Sequence, residues 1–377
     1  MTRHRVSSLL LGMAAWSVSA CSDGPSAVTS NAGGAVGMGG GANALSGGGA
    51  SALSGAGAGG TPEAGTSSGG ADATIAGSGS LGGSAGGGTG GVGPAAVGGA
   101  AGGSNPVEPG PVKHHVMAIE YPGRLLEISA DGQKLWEHQT PSLTVMFNVL
   151  PNGHVFYPHG GDKRGAEEID RDHHVVWSYD SSAAELLGGE RLANGNTLLG
   201  EGGPPRALEL DPAKAVLRAV DVTTSETAAH GQIRHLHRLA NGNLLLALES
   251  EGVAREIDAS GKTVWEYAGV SRIHEALRLP NGNTLIGGGD TKRVLEVTHD
   301  GQIAWQFGEN DAPELGLAFV ASVQVLKNGD LLVCNWLGAN GGSGVHAFQV
   351  TRDKHVVWTL DDHQLLKSAT TVTALDD

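Results

Sequence analysis

From about residue 112 onward, apolar residues come in runs of about five broken by turn residues, the rhythm of short strands rather than the longer stripe of an amphipathic helix. The clearest example is Leu279-Pro280-Asn281-Gly282-Asn283-Thr284-Leu285-Ile286. An apolar run reaches Leu279, Pro280 and Asn281 enter a turn, Gly282 supplies the positive φ that the turn requires, and a second apolar run leaves through Leu285 and Ile286. Close copies stand at Leu150-Pro151-Asn152-Gly153, Leu192-Ala193-Asn194-Gly195, Leu239-Ala240-Asn241-Gly242 and Leu326-Lys327-Asn328-Gly329. Repeated hairpins of one design define an internal repeat, and that outranks any local reading.

A second phrase lies between the hairpins, best seen in Glu256-Ile257-Asp258-Ala259-Ser260-Gly261-Lys262-Thr263-Val264-Trp265. Its last position is filled in turn by Trp136, Trp177, Arg218, Trp265, Trp305 and Trp358, and its first by Glu127, Glu168, Glu209, Glu256, Glu296 and Gln349. It too is strand, polar turn, strand, so one period holds four short strands, the makings of a propeller blade. The chain ends supply the missing hairpin. Val372 to Asp377 aligns with Val323 to Asn328 as an inner strand, and Val116 to Glu120 aligns with Leu331 to Asn335. The expected fold is therefore all-β, a six-bladed β-propeller over residues 106–377 whose closing blade is shared between the N- and C-terminal strands. The large flat Trp side chains should fill the wedges between blades, with a looser contact at Arg218. Ala183 to Leu187 is the best candidate for a helical turn, and Cys334, inside Leu331-Leu332-Val333-Cys334, should be a packing residue.

The hairpin order and the Gly261-Lys262-Thr263-Val264-Trp265 phrase resemble the PQQ-like β-propeller repeats, and the His-containing runs before the Asn-Gly turns are similar to arylsulfotransferase-type propellers. The resemblance covers residues 112–377 and implies architecture far more than activity, because such repeats serve dehydrogenases, sulfotransferases and scaffolds alike. PQQ as a cofactor is disfavoured. The quinoprotein dehydrogenases resemble eight-bladed rings with adjacent cysteines and a calcium site, whereas this chain has two cysteines in all, Cys21 and Cys334.

The first hundred residues change the picture of where the propeller sits. Arg3 and Arg5 precede a short apolar stretch, and Val18-Ser19-Ala20-Cys21 resembles the lipobox of bacterial lipoprotein signal peptides. Residues 1–21 are thus expected to be an export signal, with Cys21 as the lipidated residue and membrane anchor; Ser22 after it fits outer-membrane or cell-surface residence. Residues 22–105 hold 31 of the chain's 62 Gly and only Asp23, Glu63 and Asp72 as charges, so they read as a disordered Gly/Ala/Ser-rich linker. A coil of that length reaches roughly 50 Å. Subtracting the leading residues leaves 22 Lys plus Arg against 36 Asp plus Glu, a net charge of −14, which argues against nucleic acid as a partner. With no second thiol left beside Cys334, no disulfide framework is expected.

In a propeller the first strand of each blade lines the central channel, and the loops leading into it share a face with those joining the second and third strands. Glu120, His159, Glu201 and Asn335 occupy one equivalent position at second-strand ends, and symmetry suggests a ring of polar groups round that mouth. His235 and His237, with Arg234 before them, lie on one inner strand, and His274-Glu275 holds nearly the same place in the next. A His-x-His pair supplies two metal ligands, but the sequence identifies no third, so no metal is assigned. The arylsulfotransferase resemblance implies His274 as the nucleophile, with Arg234, His235, His237 and Arg272 as a charge-stabilising shell. Three readings follow: a membrane-anchored binding module for a glycan, small anion or protein at the channel mouth, an arylsulfotransferase-like enzyme, or an outer-membrane assembly-type scaffold. The paired histidines His114-His115 and His173-His174 are expected on the solvated surface. A monomer is expected.

Overall fold

The computed structural model describes residues 112–377; the expected leader, the linker and the first residues of the expected domain lie outside them. Six four-stranded antiparallel sheets stand in a ring. Blade 1 holds β1 (Val116–Glu120), β2 (Arg124–Ile128) and β3 (Lys134–Gln139). Blade 2 is β4 (Asn148–Val149), β5 (Val155–His159), β6 (Gly165–Ile169) and β7 (Val175–Asp180). Blade 3 is β8 (Glu185–Arg191), β9 (Thr197–Gly202), β10 (Arg206–Leu210) and β11 (Val216–Asp221). Blade 4 is β12 (His235–Arg238), β13 (Leu244–Leu248), β14 (Val253–Ile257) and β15 (Thr263–Ala268). Blade 5 is β16 (Glu275–Arg278), β17 (Thr284–Gly287), β18 (Arg293–Val297) and β19 (Ile303–Gly308). Blade 6 is β20 (Val320–Val325), β21 (Leu331–Asn335), β22 (Ala347–Val350) and β23 (Val356–Leu360).

The final strand, β24 (Ala369–Ala374), pairs antiparallel with β1 in the register Val116↔Ala374 and Ala118↔Val372, and so becomes the inner strand of blade 1. The ring closes as expected, with no blade hidden in the longer connections. Gln324 of β20 adds a stitch across the closure, accepting from the Ala374 amide at 2.8 Å.

Burial explains the residue pattern. The second strand of blade 4, Leu-Leu-Leu-Ala-Leu, is covered on both faces, so it is apolar throughout instead of alternating. The outermost strands face solvent and alternate less cleanly, leaving Leu135, Val176 and Leu217 exposed. Six apolar clusters fill the six gaps between blades, one gap each.

The Trp residues do more than fill those gaps. In four of the five repeat Trp the indole Nε1 donates to a carbonyl in the outer turn of the following blade: Trp136 to Arg171 at 3.0 Å, Trp177 to Pro212 at 3.1 Å, Trp265 to His299 at 2.8 Å and Trp305 to Arg352 at 2.8 Å. Arg218 keeps the tether with a different group, donating to Asp258 O and Gly242 O at 3.3 Å. The Glu paired with each of these four Trp meets a guanidinium from the next blade, as in Glu168–Arg191 at 2.7 Å and Glu256–Arg278 at 2.8 Å, whereas Trp358 is paired with Gln349, which bonds His114. Those guanidiniums also stack on the rings, Arg191 lying 4.3 Å from the Trp177 centroid and Arg278 4.9 Å from Trp265.

Two expectations need correction. Ala183 to Leu187 is not helical: β8 begins at Glu185 and pairs with β9, with a bulge at Leu187, and both Leu186 and Leu187 are buried. The described residues contain short 3-10 turns at Ala229–Gly231 and Pro313–Leu315 instead. His114 and His115 are half-buried rather than solvated. His114 bonds Gln349 at 2.7 Å and meets the Trp358 ring edge-on at 5.0 Å, and His115 bonds Glu127 at 2.7 Å, so both help close the ring. His173 and His174 are exposed, as expected. Cys334 is fully buried, and burial pushes its thiol far above the ordinary range.

Candidate functional site in the channel

Counting backward from each of the five Asn-Gly turns, and from the equivalent Leu375-Asp376-Asp377 of blade 1, brings the inner strands into register and defines three stacked rings round the axis. The ring nearest the loop-bearing mouth is Thr370, Val145, Leu187, Arg234, His274 and Ala321. Below it come Thr371, Met146, Gly188, His235, Glu275 and Ser322, then Thr373, Asn148, Glu190, His237, Leu277 and Gln324. Most positions are apolar, small or amide, and the ionisable residues concentrate where blades 3, 4 and 5 face the axis. Gly188 permits that concentration, since a Cβ there would stand 2.9 Å from the backbone oxygen of Arg234.

The upper ring opens into a small cavity that Tyr121, His230, Arg234, Arg272, His274 and Trp336 line together with apolar neighbours. Arg234 is 2% exposed and pairs with buried Glu249, and Arg272 reaches the other oxygen of the same carboxylate at 2.9 Å. Burial opposes ionisation of Glu249, but the charges of Arg234 and Arg272 outweigh it and bring its carboxyl down to about 2. His274 stands edge-on to Phe319 at 4.9 Å. Its Nδ1 lies 3.2 Å from the carbonyl of Ala321, an acceptor only, so Nδ1 carries the proton and Nε2 keeps its lone pair. Burial, reinforced by the Arg234 charge, holds this imidazole well below its ordinary value and therefore neutral. Nε2 has no hydrogen-bond partner among the described residues, and neither does the buried Nε1 of Trp336.

Most residues of the two lower rings, His235, His237 and Glu275 among them, line a larger cavity of about 470 Å³. His237 donates through Nδ1 to Glu190 at 2.9 Å and faces Glu275 through Nε2 at 3.1 Å. Burial works against its charged form, yet the two carboxylates overcome that and lift it to about 10. His235 Nδ1 lies 2.8 Å from the other Glu275 oxygen but out of line for a hydrogen bond, which leaves that buried nitrogen unpartnered. Glu275 resists burial because His235 and His237 hold it below the usual carboxylate range.

The fold thus separates residues that the sequence reading grouped. Arg234, Arg272 and His274 share the upper cavity, whereas His235 and His237 belong to the lower one. Glu120, His159, Glu201 and Asn335 line neither cavity. Each anchors a loop of its own neighbourhood: Glu120 accepts from Arg124 at 2.6 Å, Glu201 from Arg206 at 2.6 Å, His159 bonds Lys163 O at 2.8 Å, and Asn335 accepts from Ala318 N at 2.8 Å. Glu190, Glu249 and Trp336 were not singled out from sequence. Glu190 was accessible to the same count that aligns the inner strands, since it occupies the His237 position of blade 3; Glu249 and Trp336 sit in loops that carry no repeat signal.

Fold and site define a six-bladed β-propeller with an ionisable channel. Among solved structures it is similar to a Bacteroides caccae protein of unknown function, with 23% identity, a TM-score of 0.64, and 71% of this chain and 100% of that chain covered. Virginiamycin B lyase from Staphylococcus aureus matches at 13% identity and a TM-score of 0.46, covering 65% of this chain and 83% of its own. The WD40 propeller domain of Doa1 matches at 14% identity and a TM-score of 0.44, covering 58% and 70%. No protein-family model matches the chain. No curated relative matches it either.

Proposed function

We propose that this protein is an exported, lipid-anchored binding module that takes a small anionic group into the upper channel cavity. One observation carries the ligand class. The lining residues include Arg234, Arg272, Tyr121 and Trp336 and no carboxylate, the Glu249 that pairs both guanidiniums lying outside the lining. In a chain of net charge −15, a lining of donors and cations marks a place for oxygens of a sulfate, sulfonate or carboxylate. The lipobox-like Val18-Ser19-Ala20-Cys21 and the Gly-rich stretch after it support the anchor and tether.

A second reading is favoured by the free lone pair on His274 Nε2. A neutral imidazole beside anion-binding donors is arranged to attack the sulfur of an aryl sulfate, expelling the phenolate and holding the sulfuryl group until an acceptor hydroxyl takes it. This is the activity that the arylsulfotransferase resemblance implies. Isothermal titration with sulfate and with an aryl sulfate, and turnover of the latter, test both. Arg272→Ala removes a half-exposed guanidinium and should weaken sulfate binding about tenfold or more; His274→Ala should abolish any sulfuryl transfer. Undiminished sulfate affinity in Arg272→Ala overturns the binding site, and turnover that survives His274→Ala overturns the enzyme.

A further inference from the structure

We propose that His235, His237 and Glu275, in the lower channel, form a binding site for a divalent first-row transition-metal ion. This goes beyond the anion reading and does not rest on it, since the two sites occupy different cavities.

The donor set is two imidazoles and one carboxylate from two adjacent inner strands, with one ligating atom of each lying within 4.8 Å of the others. Ligand atoms bound to one ion at about 2.0–2.2 Å stand about 3–3.5 Å apart, so separations of 2.8 Å and 3.1 Å from the two histidines to Glu275 need only small adjustment. Two further observations point the same way. The Nδ1 of His235 is buried without a hydrogen bond, the position a ligand nitrogen holds when its partner is an ion. His237 gives its other nitrogen to Glu190 at 2.9 Å, the carboxylate–histidine relay that orients a ligating imidazole and raises its basicity. Bound metal takes the place of the hydrogen that links His237 Nε2 to Glu275, while Nδ1 keeps its bond to Glu190.

Two nitrogens and one carboxylate suit Zn²⁺, Fe²⁺ or Co²⁺ better than Ca²⁺ or Mg²⁺, which prefer all-oxygen shells. The remaining coordination positions face the 470 Å³ cavity, where the Oγ of Ser322 is also buried and unpartnered. Such a site is open in the manner of catalytic rather than structural metals.

The test uses the full chain, stripped with chelator and titrated with Zn²⁺ by calorimetry and with Co²⁺ by visible absorption. The expected result is one ion per chain, a Co²⁺ spectrum of nitrogen and oxygen ligation, and a melting temperature that rises with Zn²⁺. His235→Ala and Glu275→Gln should each weaken binding about 100-fold or more, and Glu190→Gln, which removes no ligand, roughly 10–100-fold. The exposed cluster Asp170, Asp172 and His174 is the rival site. Binding that persists in His235→Ala or Glu275→Gln, or that is lost in a paired Asp170→Asn, Asp172→Asn variant, overturns the proposal. So does the absence of a stoichiometric ion in the unaltered chain, which decides the matter even if a variant misfolds.

Discussion

The rim between blades and the channel at the axis are built from the same repeat, yet they use it in opposite ways. At four of the six gaps in the rim, the Trp, its paired Glu and the next blade's Arg recur with one geometry; where Trp gives way to Arg218 the replacement still reaches the same turn of the next blade, and at the closing gap Gln349 and His114 stand in for the Glu and Arg. At the axis, equivalent positions hold Thr, Val, Leu, Arg, His and Ala in one ring. Sameness marks what the blades need in order to stand together, and difference marks what the ring is for.

The strongest way to break the comparison is to remove a piece both regions depend on. Deleting residues 368–377 takes away β24, exposing the β1 edge and one face of the blade 1–6 cluster, so cooperative unfolding should be lost and aggregation should follow. A truncated chain with a normal melt would show that closure does not matter. Next in size is a contrast between one rim residue and one channel residue. Trp265→Ala should cost about 3–5 kcal/mol in denaturant titration, by cavity formation and loss of its tether, while His274→Ala, which removes a smaller ring and its bond to Ala321, should cost about 1–2 kcal/mol. Equal costs would erase the distinction.

Acid should sharpen it. The folded-state carboxyl of Glu249, at about 2, lies below its ordinary 4.5, so the stability it contributes is complete above that ordinary value and disappears as pH falls toward 2. The difference corresponds to about 3 kcal/mol, read as a fall in unfolding free energy between about pH 6 and about pH 2. Glu249→Gln should flatten that part of the profile, and an unchanged profile would show that the Arg234–Glu249 pair does not govern it. The smallest effect is a gain. Arg218→Trp restores the rim pattern under Arg238 and should add about 1 kcal/mol, whereas a loss would mean that the arginine has a role of its own.

The two regions also differ in how far the sequence revealed them. The blades were legible because turn chemistry and strand period agree in every copy, and even the shared closing blade followed from aligning Val372 with Val323. Side-chain direction was not legible. Arg234 and His235 are neighbours in sequence, but Arg234 stands in the segment just ahead of β12 and joins Glu249, whereas His235 opens the strand and joins Glu275. The third ligand for the His-x-His pair was in plain view as Glu275, yet recognising it required knowing that blades 4 and 5 align residue for residue at the axis. The loop anchors Glu120 and Glu201 misled because symmetry fixes where a strand ends, not whether its last side chain turns inward or back into its own loop.

The union of Val116 with Ala374 has a kinetic side. It joins residues 258 positions apart (374 − 116), while the Asn-Gly hairpins join residues a few apart. Closing so long a loop costs on the order of 5 kcal/mol in chain entropy before any contact rewards it, so the hairpins should form early and the ring should shut last. A chain emerging N-terminus first would carry blade 1 incomplete, with the inner edge of β1 bare, until its final strand arrives. During that interval the β24 of a second molecule could take the vacant place, and refolding at rising protein concentration should therefore trade closed monomers for strand-exchanged assemblies.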